Sequence, residues 1–91
     1  MEKGFNTDVT SNGIRYHVQT EDWGTAKGFI ATTVFRGGAV LRTYKRSYAQ
    51  ITEDIGYRTP SQVLRLVMRE QHQKILDLLL SGQELSGNDT M

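Results

Sequence analysis

The histidines and the carboxylates beside them are the first residues in this sequence that could do chemistry. Residues 16 to 24 read YHVQTEDWG, which places His17, Glu21, Asp22 and Trp23 within nine positions; a second histidine, His72, lies far downstream. An imidazole near two carboxylates is the material of general acid/base catalysis, and the same side chains are metal ligands. The spacing argues against both uses. On an extended strand His17 and Glu21 stand roughly 13 Å apart at ~3.3 Å per residue, too far to share one ion. The chain has no HExxH motif and no cysteine, which removes thiolate chemistry, disulfides and cysteine-based metal sites. No catalytic residue, metal or cofactor is expected.

Binding chemistry is better represented. Residues 39 to 48 read AVLRTYKRSY, and positions 36 to 46 hold four cations (Arg36, Arg42, Lys45, Arg46) and no acid; with a net charge of +1, the remainder of the chain carries −3. Charge that tracks phosphates and rings that stack on bases is how sheet-based modules hold single strands. Single-stranded nucleic-acid binding through Arg42, Tyr44, Lys45 and Arg46, with Arg42, Tyr44 and Arg46 on a strand face shared with Phe29 and Phe35, is therefore the alternative function. Against it stand the near-neutral charge and the lack of an RNP-like motif. Basic residues on one strand also keep a sheet edge from pairing with foreign strands. Gly24 and Gly28 could form an anion-binding turn, but no phosphate-loop pattern surrounds them.

The elements that must position these groups can be read from turn signals and periodicity. Asn12-Gly13 and Gly37-Gly38 each suit a two-residue type I′ turn. The first turn pairs Val9 with Tyr16, Thr7 with Val18 and Phe5 with Thr20 on one face, and Thr10 with Arg15, Asp8 with His17 and Asn6 with Gln19 on the other. His17 thus faces water as a cross-strand partner of Asp8, which splits the YHVQTEDWG cluster between two faces and a loop. The second turn pairs Val34 with Leu41, Thr32 with Thr43 and Ile30 with Lys45, and on the opposite face Phe35 with Val40 and Ala31 with Tyr44. Residues 21 to 28 are expected to be a loop, with Trp23 folding over the open end of the core or standing as an anchor for a partner. Residues 47 to 58 form a connection with one short helical turn, ended by Gly56.

A helix from about Pro60 to Leu80 closes the domain, with Thr59 as N-cap, Pro60 at the first helical position, Gln62 completing a capping box and Gly82 as the stop. At ~100° per residue, Val63, Leu64, Val67, Met68, Ile75, Leu78 and Leu79 line one stripe, with Gln71 near its middle and His72 at its edge. Leu66, Leu76 and Leu80 fall outside the stripe. The prediction is one α+β domain over residues 1–82, a four-stranded antiparallel meander of two hairpins with the C-terminal helix on one face, and a disordered polar tail over 83–91. A chain of 91 residues supports one modest core.

That arrangement leaves more apolar surface than one helix covers. Phe35, Val40 and Tyr44 on the uncovered sheet face, Leu76 and Leu80 on the outer helix face, and Trp23 are the expected interaction surface, for a second copy or another protein. No segment has the ~18 apolar residues of a membrane span and the start MEKGFNTDV has no apolar run of a secretory signal, so a cytoplasmic protein without a membrane role is expected.

Taken together, GIRYHVQTEDWG, TTVFRGGAVL, the following Ser-Tyr pair and LVMREQHQKIL resemble a family of short, uncharacterised bacterial proteins. That family shares a YHVQTED-x-G core, a VF-x-GG-x-VL hairpin and a C-terminal helix with an M-x-x-QH element. The resemblance runs from about Phe5 to Gly82. It implies a protein of the bacterial cytoplasm outside the recognised enzyme families, and it brings no activity, ligand or catalytic residue. Cyclic-dinucleotide binding of the PilZ type fails on motif: Arg42 with Arg46, and Arg65 with Arg69, have the RxxxR spacing, but no DxSxxG follows.

Overall fold

A computed structural model describes residues 4–56 and 61–82. The chain forms the expected α+β meander. Its strands β1 (Phe5–Ser11), β2 (Ile14–Asp22), β3 (Phe29–Arg36) and β4 (Ala39–Ser47) pair antiparallel in sequence order. A four-residue turn of helix, α1 (Gly24–Lys27), joins the hairpins; α2 (Tyr48–Ile55) follows β4, and the long α3 (Ser61–Leu80) packs on the sheet. The expected helix start at Thr59-Pro60 and the tail over 83–91 lie outside the described residues.

The first hairpin has the predicted register throughout, from Phe5↔Thr20 to Ser11↔Ile14. Asn12 and Gly13 both take left-handed backbone angles (φ 52° and 77°), as a type I′ turn requires. β2 runs longer than expected: Glu21 and Asp22 still pair with Ala31 and Ile30 before the chain leaves the sheet.

The second hairpin departs from a regular ladder. Arg36↔Ala39 and Phe35↔Val40 pair around the Gly-Gly turn, but the next pair is Val34↔Arg42, so Leu41 is an extra residue in β4. A bulge of this kind shifts every later residue by one, and with a side-chain period of two it exchanges the faces. Tyr44 therefore lies opposite Thr32 rather than Ala31, and is buried at 3% exposure. Lys45 takes the place beside Ala31 on the face away from α3.

Helix α3 is also turned relative to the predicted stripe. Its buried residues are Val67, Met68, Gln71, His72, Ile75, Leu76 and Leu79, an arc of roughly 180° at ~100° per residue. The cause is its seat along β1 and β2, where His72 reaches Thr7 and Thr20 and Leu76 enters the core. α2 is a full helix rather than one turn: the Ser47 side chain caps it by accepting from the Gln50 N–H, and Gly56 ends it in the left-handed conformation. Its Ile51 is fully buried.

The core has three parts. Val18, Val34, Tyr44, Ile75, Leu76 and Leu79 form one apolar cluster, and Ile30, Ile51, Val67 and Met68 form another. Each fully buried aliphatic side chain contributes about 1.5–3 kcal/mol. On the helix-covered face the Thr20↔Thr32 row lies between the Val18↔Val34 and Asp22↔Ile30 rows, and on α3 Gln71 and His72 lie between Met68 and Ile75. These four polar residues are all buried, making a polar layer between two apolar ones. Among the described residues no helix is long and apolar enough to cross a membrane.

Candidate functional site

The groups with chemical potential divide among three places: the buried layer, the end of β2, and the outer sheet face. In the buried layer His72 Nε2 lies 2.9 Å from Thr7 Oγ1 and Nδ1 lies 2.8 Å from Thr20 Oγ1. Thr20 and Thr32 hydroxyls meet at 2.7 Å, and Gln71 Nε2 donates to Thr32 Oγ1 at 3.0 Å and to the Tyr44 carbonyl at 3.3 Å. One direction gives each linking donor an acceptor, with Gln71 Oε1 left buried and unpartnered: Gln71 donates to Thr32, Thr32 to Thr20, Thr20 to His72 Nδ1, and His72 Nε2–H to Thr7. Each linking hydroxyl then donates once, and the imidazole is neutral. Burial, and secondarily the charge of His17, hold the His72 pKa below its ordinary value.

At the end of β2, buried Asp22 accepts from the Gly24 N–H at 2.9 Å and from the Tyr48 hydroxyl. This carboxylate ties the sheet to α1 and to the first residue of α2. Sequence reasoning placed Asp22 in a loop; the available signal was parity, since it shares the strand phase of Val18 and Thr20.

The outer face carries a complete cross-strand row, Asp8, His17, Phe35 and Val40, one residue from each strand. His17 Nδ1 lies 2.8 Å from Asp8 Oδ1, its Nε2 lies 3.3 Å from Asn6 Oδ1, and its ring stands 5.9 Å from that of Phe35. The predicted His17–Asp8 pair is present. Asp8, which Arg15 also approaches at 3.5 Å, has its pKa lowered chiefly by the hydrogen bond from His17. Asp8, Arg15, His17, Gln19 and Phe35 line an open concavity of about 570 Å³ beside the Gly37-Gly38 turn.

The expected interaction residues separate. Val40 is 60% exposed, Leu80 57% and Trp23 43%, while Phe35 is half-buried. Tyr44 and Leu76 are corrected: the bulge turns the first into the core, and the seat of α3 turns the second there. Sequence reasoning also missed Leu41, which the bulge leaves nearly half exposed next to Val40. Trp23 does not close the core; it stacks on Phe29 with ring centres 5.1 Å apart.

The basic strand is divided in the same way. Arg42 and Arg46 lie on the helix side with Tyr44, Arg42 with its guanidinium 5.8 Å from the Tyr44 ring and Arg46 paired with Asp54 at 2.6 Å. Lys45 alone of that set faces outward, 4.9 Å over the Phe29 ring. Phe29 and Phe35 therefore do not share a face with Arg42, Tyr44 and Arg46.

Both nitrogens of each imidazole are engaged by neighbouring oxygens, and Asp22 is taken up by an amide and a phenol. Among the described residues no three His, Cys, Asp or Glu side chains are grouped as a metal site. Compared with protein-family models, curated proteins and solved structures, the chain matches none.

Proposed function

We propose that this protein is a small non-catalytic interaction module of the bacterial cytoplasm, binding a second copy of itself or another protein. The observation that carries this reading is the apolar corner of the uncovered sheet face, where half-buried Phe35 faces exposed Val40 and Leu41 projects beside it. α3 covers one face of the sheet; the other grades from the polar Asp8–His17 end on β1 and β2 to this corner on β3 and β4. A polar rim beside an apolar patch is the usual anatomy of a docking surface. Engagement of both imidazoles by structural hydrogen bonds favours binding over turnover.

Sedimentation velocity on the pure chain, with capture from an extract of the source cells, tests the reading. A mass above the monomer, or a partner retained by the wild type and lost by Val40→Asp with Leu41→Asp, supports it. A chain that stays monomeric and retains nothing refutes it. The nucleic-acid alternative now rests on Lys45 over Phe29 with Trp23 stacked alongside, because Tyr44 is in the core and Arg46 is paired. It requires salt-dependent binding of a short single strand that Lys45→Ala weakens; absence of binding at low salt dismisses it.

A further inference from the structure

We propose that the buried layer around His72 is a pH-sensitive latch, which holds α3 on the sheet while His72 is neutral and releases it when His72 gains a proton. The geometry makes the latch specific to one protonation state. With neutral His72, the run from Gln71 through Thr32, Thr20 and His72 to Thr7 leaves no hydrogen without an acceptor along it. A proton on Nδ1 reverses the last links: Nδ1–H must donate to Thr20, Thr20 must turn its hydrogen to Thr32, and Thr32 already receives one from Gln71. The Thr32 hydrogen, at a residue with 0% exposure, then keeps an acceptor only if the Gln71 amide turns its unpartnered Oε1 to Thr32 and gives up its bonds to Thr32 Oγ1 and the Tyr44 carbonyl. A cation is also placed between two apolar clusters, which burial opposes.

The surroundings supply little to offset that charge. From β1, Phe5 and Thr7 face His72, and the Phe5 ring stands 5.8 Å from it. From β2 and β3 come Thr20 and, through Gln71, Thr32; among the described residues the acid of β2 on that face is Asp22, one row beyond Thr20 and already bound to Gly24 N–H and Tyr48. On α3 the charged residues one and two turns earlier are Arg69 and Arg65, and His17 acts from the opposite sheet face. His17 opposes a positive charge on His72.

The position of the layer gives the latch its reach. It lies at the middle of α3, between the contacts Val67 and Met68 make on one side and those of Ile75 and Leu79 on the other. Release of α3 uncovers Val18, Ile30 and Val34, all fully buried in the docked state. Because His72 binds its proton more weakly when docked than when open, docking is at full strength above the ordinary histidine pKa of 6.5 and weakens as pH falls below it, until the docked pKa is passed.

Hydrogen exchange of α3 amides between pH 7.5 and 5, corrected for intrinsic rates, reads this directly. The opening equilibrium should rise by up to about tenfold per pH unit in the window below 6.5, the limit for one proton. The chain has only two histidines, so the slope should vanish in His72→Gln and persist in His17→Gln. A flat opening equilibrium in the wild type, or a slope that survives His72→Gln, overturns the latch. Should His72→Gln fail to fold, the imidazole titration of the wild type by NMR decides: His72 titrating below 6.5, in step with α3 opening, supports the latch, and titration at or above 6.5 overturns it.

Discussion

Replacing Tyr44 by alanine tests the bulge in β4, because the two possible registers give opposite answers for neighbouring residues. With Leu41 as an extra residue, Tyr44 is 3% exposed within the cluster of Val18, Val34, Ile75, Leu76 and Leu79, and Lys45 is exposed over Phe29. Truncating a large buried aromatic to alanine costs about 3–5 kcal/mol, the sum of lost transfer energy and the cavity left behind. An exposed cation–π contact such as Lys45 with Phe29 is worth about 0.5–1 kcal/mol. A domain of this size has a total stability of about 5–14 kcal/mol at roughly 0.05–0.15 kcal/mol per residue, so Tyr44→Ala removes a large share of it. With a urea m-value of about 1.5 kcal/mol/M the midpoint should fall by about 2–3 M, against less than about 1 M for Lys45→Ala. Trp23, the only tryptophan, stacks on Phe29 and reports the unfolding by fluorescence, with far-UV circular dichroism as a second probe. A Tyr44→Ala variant within about 1 kcal/mol of the wild type would place Tyr44 on the outer face and remove the bulge from the account.

Two further outcomes follow from the same packing. Thr20→Val leaves His72 Nδ1 and the Thr32 hydroxyl without a shared partner, and should cost about 1–3 kcal/mol in urea unfolding at pH 7.5, whereas replacing Thr20, Thr32, Gln71 and His72 together by apolar residues should cost less than the sum of the single changes. Deleting Leu41 leaves Val34↔Arg42 through Phe29↔Ser47 in a regular ladder with Phe35↔Val40; the shortened chain should keep cooperative unfolding and a buried Tyr44, seen as an unchanged near-UV spectrum, and loss of the cooperative transition would contradict this.

The amino-acid order specifies local structure. Asn12-Gly13 accepts the two left-handed residues of a type I′ turn, and strands alternating cleanly on either side of it allow one register, so the first hairpin and the His17–Asp8 pair were legible residue by residue. The 3.6-residue period and Gly82 likewise specified α3 and its end. β4 carries no such instruction: AVLRTYKRS has apolar groups in both phases, so alternation cannot say which phase is buried, and an inserted residue leaves no compositional mark. Only packing decides it, because the layer under α3 and α2 takes the Tyr44 ring while Leu41 is left outside. The rotation of α3 has the same origin. Val63, Leu64 and Leu78 made the more apolar stripe, but the helix seats along β1 and β2, where Thr7 and Thr20 engage both nitrogens of His72 and Thr32 accepts from Gln71. A buried polar group takes its position from partners distant in the chain, and those distances exist only once the sheet is formed.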